Sequence, residues 1–220
     1  MFSELDASGY SYSATFYNNE FEDLLSKIIL CYQLMLKNKE VLINDENRIR
    51  DVILINYLKN NAIRTKFGIN NYLFDREVPE DKSQGRTDIK IITANTFQDT
   101  EAYYIIECKR LDSNNTSGQT GLNAEYIKNG ISRFVSNYYS SHYRTNGMIG
   151  FIISPLDINE NVSSINLLLK TLFTQINTKQ ELRFREIMKD FNFSYFSIHS
   201  LKSKDIVLYH LMLDFSKNIK

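Results

Sequence analysis

Ala102-Tyr-Tyr-Ile-Ile-Glu-Cys-Lys-Arg110 reads as a buried β-strand that ends in charge. Side chains two apart on a strand share a face, so Glu107 and Lys109 point together while Cys108 turns the other way, into the core. An unpaired charge is costly at the end of an apolar strand, and two of them there require a reason. Upstream, Gly85-Arg-Thr-Asp-Ile-Lys-Ile-Ile92 supplies a second short strand carrying Asp88. Two carboxylates and a lysine converging from adjacent strands are the parts needed to hold Mg²⁺ and cut a phosphodiester. The competing reading is a surface Glu–Lys pair beside an unrelated Asp.

Working outward, residues 1–19 read as an irregular leader. Apolar positions from Phe21 to Leu36 follow helical spacing over Glu20–Asn38. Asp45–Asn61 predicts a second helix, with Ile49, Val52, Ile53, Tyr57 and Leu58 inward and Asp45 as its cap. Strands are expected at Tyr72–Val78, Arg86–Thr93 and Tyr103–Arg110. Leu111–Leu122 is a loop by composition. A helix follows over Asn123–Ser140, with Ile127, Ile131, Phe134, Val135 and Tyr138 buried. Then come a short strand at Gly147–Ser154, a helix at Asn161–Ile176, and strands at Phe193–His199 and Asp205–Phe215. This order predicts one α/β domain over residues 1–220 with a mixed sheet.

The chain has 220 residues, 43% hydrophobic and 24% charged, enough for one well-buried core without disulfide staples. Two cysteines without metal-ligand spacing fit a reducing, cytoplasmic setting. The apolar runs are too short to span a bilayer, and the first residues lack the pattern of a secretion signal. Formal net charge is zero, which argues against a generic nucleic-acid coat protein. It leaves a nuclease open, because a bound metal ion brings positive charge to the reaction centre.

With Asp88, Glu107 and Lys109 placed on neighbouring strands, the chain resembles the PD-(D/E)xK (restriction endonuclease-like) nuclease superfamily. Its signature is an Asp at a strand start followed by Glu-or-Asp–x–Lys on the next strand, in an αβββαβ core. Thr87 stands where the family name has proline, which is not a ligand. The resemblance covers about residues 45–154 and implies N-terminal helices before the core and a C-terminal helix plus strand pair after it. It implies Asp88, Glu107 and Lys109 as catalytic residues, with Mg²⁺, or Mn²⁺ in its place, as cofactor. An acid on the upstream helix is expected in such a site, and Glu46 is the candidate. The Cys108 backbone carbonyl, between the two site residues, is a further oxygen donor.

Lys128, Arg133 and Gln119 are auxiliary candidates for contacting substrate phosphates, with a solvated basic face as the competing reading. Gly130 costs its helix about 1 kcal/mol against Ala, which is tolerable where the helix back presses on the sheet. Glu77 reads as an edge-strand charge rather than a metal-facing acid. His142, His199 and His210 have no ligand spacing, and Tyr138, Tyr139 and Tyr143 read as packing rather than base-stacking residues. The resemblance implies a DNA phosphodiesterase of bacterial restriction or anti-phage defence. It would act as a homodimer or as the nuclease subunit of a larger complex, away from any membrane. RNA or a cyclic nucleotide as substrate, or a non-catalytic scaffold of the same fold, are the alternatives.

Overall fold

The structure is a computed structural model and describes residues 11–79, 86–136, 139, 143–201 and 204–220. Tyr138, Ser140 and His142 lie outside these residues. Among the described residues seven strands form one sheet. They are β1 (Leu73–Pro79), β2 (Arg86–Ile92), β3 (Tyr103–Leu111), β4 (Thr145–Ile152), β5 (Thr178–Phe184), β6 (Ser194–Leu201) and β7 (Lys204–Asp214). Their order is β1-β2-β3-β4-β7-β6-β5. Strands β3, β4 and β7 run parallel, and the outer pairings are antiparallel. The α/β class and the mixed sheet expected from the sequence are therefore present.

Alternation along β3 divides the core into two layers. Tyr104, Ile106 and Cys108 face Phe21, Leu24 and Ile28 of α1 (Ser11–Lys37), together with Ile53, Leu54 and Tyr57. Tyr103, Ile105 and Leu111 face the opposite layer, with Tyr126, Ile127, Ile131 and Phe134, and with Ile165 and Leu169 of α6 (Ile158–Thr171). Every residue of β4 is buried, as a strand covered on both faces must be. Glu107 and Lys109 belong to the second face by the same period of two.

Several expected boundaries move. Helix α1 begins at Ser11, inside the stretch read as irregular, and Leu36 is exposed rather than inward. The second helix is α2 (Glu46–Asp51), continued by a π-helical segment over Val52–Leu58. Asp45 caps α2 as expected, accepting the Arg48 N–H. A separate α3 (Asn61–Phe67) follows, capped by Asn60 and closed by Gly68 in the left-handed region. The helix after the polar loop is composite: α4 (Leu122–Tyr126), a π-helical segment over Ile127–Ile131, and α5 (Ser132–Val135). The helix expected to reach residue 176 stops at Thr171, and β5 follows it. The closing strand pair is thus extended by a third strand. β5 escaped notice because Thr-Lys-Gln-Glu-Leu-Arg-Phe is a half-exposed edge with little apolar alternation. No helix among the described residues is long and apolar enough to cross a membrane.

Candidate active site

Three carboxylates line up across the first three strands. In the β1–β2 register, Arg76 pairs with Ile89 and Val78 with Thr87, which sets Glu77 opposite Asp88. In the β2–β3 register, Ile89 pairs with Ile106, and one step further sets Asp88 opposite Glu107. At that step the Asp88 side chain replaces the ladder partner. Its Oδ2 accepts the Cys108 N–H at 2.7 Å. Like charges placed opposite each other on a sheet repel, so the row persists only with cations between its members.

Lys109 supplies the first. Its Nζ donates to Glu107 Oε1 at 2.8 Å, to Glu46 Oε1 at 2.9 Å and to the Cys108 carbonyl at 2.7 Å. Asp88 Oδ2 stands 3.9 Å away. Glu107 is wholly inaccessible and Lys109 is 7% exposed, so the surface-pair reading is corrected: this is a buried ion pair. Glu46, in the first turn of α2, also accepts the Arg110 N–H through Oε2. The structure therefore brings Glu46, Asp88, Glu107, Lys109 and the Cys108 carbonyl together at one point.

Arg50 supplies the second cation, and the sequence reading missed it. It lies four residues after Glu46, hence on the same face of α2 one turn on. Its guanidinium is 3% exposed. Nη1 donates to Asp88 Oδ1 at 3.0 Å and to Glu77 Oε1, while Nε and Nη2 donate to Asp51 Oδ1. Arg76 ion-pairs with the other oxygen of Asp51. Glu77 adopts φ +52°, the left-handed region that a non-glycine residue rarely takes. It is the edge-strand charge expected, on β1 at the end of the sheet, and its carboxylate pairs with Arg50.

Arg133 and Tyr139 close the site over Glu107. Arg133 Nη1 donates to Glu107 Oε1 and to the Tyr139 hydroxyl, and that hydroxyl donates to Glu107 Oε2. Of the three auxiliary candidates, Arg133 alone reaches the cluster. Lys128 donates to the backbone carbonyl of Gln119 and lies over the Phe173 ring, and Gln119 is exposed in the loop. Both are thereby separated from the carboxylates. Tyr139, read from the sequence as a packing residue, is buried as expected, but its hydroxyl is committed to Glu107.

Burial, and next the Asp88 charge, push the Glu107 carboxyl up to about 7 against the pull of Lys109 and Arg133. Burial opposes the charge on Lys109, yet Glu107, Asp88 and Glu46 together raise its pKa above the ordinary lysine value. The ammonium therefore stays protonated. Cys108 is pushed well up by burial and is an inert core thiol.

The donors around Lys109 Nζ are all oxygens, the hard ligands that Mg²⁺ prefers. Among the described residues no three Asp, Glu, His or Cys side chains form a ready-made metal-ligating group. Each carboxylate instead faces a cationic side chain. The donor chemistry fits a hard divalent ion, provided Lys109 and Arg133 yield their places on Glu107. Comparison with family models, with curated proteins and with solved structures found no match.

Proposed function

We propose that this chain is a metal-dependent phosphodiesterase of the PD-(D/E)xK type that cleaves DNA, acting in restriction or anti-phage defence. The observation that carries the reading is the meeting of Glu46, Asp88, Glu107 and the Cys108 carbonyl around one buried ammonium. These oxygens come from α2, β2 and β3. Packing alone gives no reason to bury so many charges, because a buried ion pair is weak as a stabilising device. Functional sites are where such arrangements cluster.

Glu46, Asp88, Glu107 and the Cys108 carbonyl would hold a divalent ion, which when bound polarises a phosphate and activates a water. Lys109, whose Nζ stands among these oxygens, would orient or help deprotonate the attacking water, or donate to a phosphate oxygen and stabilise developing charge. Arg133, half-buried at the rim of the site, could meet a second phosphate oxygen on leaving Glu107. Counting Glu46, Asp51, Glu77, Asp88 and Glu107 against Arg50, Arg76, Lys109 and Arg133, the cluster carries one formal negative charge. A divalent ion reverses that sign, so attraction for a nucleic-acid backbone depends on the ion being held first.

The test is incubation of plasmid, linear DNA and RNA with Mg²⁺, Mn²⁺ or EDTA, comparing wild type with Glu107→Ala and Lys109→Ala. Cleavage of DNA by wild type alone, abolished by EDTA, is expected. Equal behaviour of all three proteins sinks the enzymatic reading, and cleavage of RNA alone reassigns the substrate.

A further inference from the structure

Asp88 uses its two oxygens in opposite directions. Oδ2 turns toward the Cys108 N–H and the Lys109 side of the site, and Oδ1 turns away to Arg50. A carboxylate whose two oxygens face different partners could serve two cations at once, as a two-metal site with ions about 3.5–4 Å apart would require. Here the outer position is occupied by protein. The Arg50 Nη1 lies between Asp88 Oδ1 and Glu77 Oε1, and the rest of the guanidinium is fixed by Asp51.

We infer that Arg50 is a built-in second cation, and that the site takes a single divalent ion, on the Lys109 side of Asp88. A guanidinium keeps its charge at any pH a protein experiences and presents donors in a rigid fork. It therefore neutralises Asp88 Oδ1 and Glu77 permanently, which an exchangeable ion cannot do. The strained backbone of Glu77 fits this role. At this left-handed position its carboxylate accepts from the guanidinium from across the ladder. Arg50 touches Asp88 and not the oxygens around Lys109, so it is a positioning residue rather than a catalytic one.

This inference rests on the metal-dependent reading above, and a count of ions separates its failure from the failure of that reading. The full chain is titrated with Mn²⁺ and free Mn²⁺ is followed by its electron paramagnetic resonance signal. Wild type should take up one ion per chain, and Arg50→Lys should do the same. Arg50→Ala leaves Glu77 and Asp88 Oδ1 without their cation, Asp51 keeping Arg76, and should take up a second. Two ions on wild type overturn the inference while leaving a metal-dependent enzyme intact. A folded Arg50→Ala that still takes one ion overturns it equally, because something other than Arg50 then excludes the second. No uptake by wild type removes the metal centre altogether. If Arg50→Ala fails to fold, Arg50→Gln, which keeps the bulk and hydrogen-bond donors but not the charge, takes its place: a second ion supports the inference and a single ion overturns it.

Discussion

The Lys109 ammonium donates to Glu46 Oε1 at 2.9 Å, tying the middle of the sheet to the first turn of α2. It is a contact in which charge balance and ion binding compete directly, since Glu46 is both the partner of the ammonium and a proposed ligand. Glu46 is the most accessible carboxylate of those around Lys109, with a side chain 30% exposed. Its contribution to folding is therefore small, on the order of 1 kcal/mol. Glu46→Gln should leave the denaturation midpoint nearly unchanged and raise the Mg²⁺ concentration for half-maximal cleavage about tenfold. A Mg²⁺ titration of cleavage checks this, and an unaltered metal requirement removes Glu46 from the ligand set.

Lys109→Met probes the opposite side of that balance. It leaves Glu46, Asp88 and Glu107 around an apolar stem, and removing one partner of a buried pair costs about 3–5 kcal/mol. In EDTA the variant should melt well below wild type. Ca²⁺, which occupies oxygen sites without requiring turnover, should recover more of that loss in the variant than it adds to wild type. Thermal melts with and without Ca²⁺ measure the difference. Equal shifts mean that the ion does not sit where the ammonium was.

Much of this arrangement was legible in the chain itself. The period of two in Tyr103–Arg110 assigns Glu107 and Lys109 to one face and Cys108 to the other, as the two core layers show. Asp88 follows from the neighbouring apolar strand. Arg50 was hidden although its signal was present. It stands four residues after Glu46, and an acid and a base at that spacing look like an ordinary surface pair unless the helix is known to end against the sheet. Tyr139 was legible as a packing aromatic and not as a partner of Glu107, because that contact joins residues 32 apart in the chain. The two π-helical segments were equally invisible, since a widened turn leaves no composition behind. Both lie in helices that deliver site residues, where such segments often occur.

A buried chain of hydrogen bonds beyond the site predicts acid sensitivity. The Tyr126 hydroxyl bonds His210 Nδ1, Ser197 Oγ bonds both His210 Nε2 and His199 Nε2, and Thr178 Oγ1 bonds His199 Nδ1. Tyr126 is fully buried, and His210 is its hydrogen-bond partner among the described residues, so the phenol must donate. That fixes the direction: His210 carries its proton on Nε2, Ser197 donates to His199, and His199 carries its proton on Nδ1. Nitrogen chemical shifts of the two rings report these tautomers directly.

Both rings are neutral when folded. Burial lowers His199 from 6.5 to about 4, and burial together with the nearby His199 holds His210 well below its ordinary value. As the pH falls the unfolded chain takes up protons first, so stability is complete above about pH 6.5 and is lost on the way down to about 4. His199 alone accounts for about 3 kcal/mol over that window. Denaturant unfolding between about pH 7.5 and pH 4.5 should show this slope, and His199→Gln should flatten it. A slope unchanged in the variant assigns the acid sensitivity to other groups.

Gly130 offers the most local test of how the helix is seated on the site. A Cβ there would lie 2.4 Å from Met148 Cε and 3.6 Å from Lys109 Cγ. The first contact is with the far end of a flexible side chain, which can turn aside. Alanine also recovers about 1 kcal/mol of helix propensity. Gly130→Ala should therefore be within about 1 kcal/mol of wild type in stability. Valine adds two methyl groups where the space is already filled, and overpacking of that kind costs about 1–3 kcal/mol. Gly130→Val should be destabilised by that amount and should displace the aliphatic stem of Lys109. Under the proposed mechanism Lys109 works on the reacting groups and competes with the ion for its carboxylates, so the turnover rate should fall while Mn²⁺ affinity holds or rises. A parallel loss of both would show that Gly130 shapes the whole carboxylate cluster and not the lysine alone.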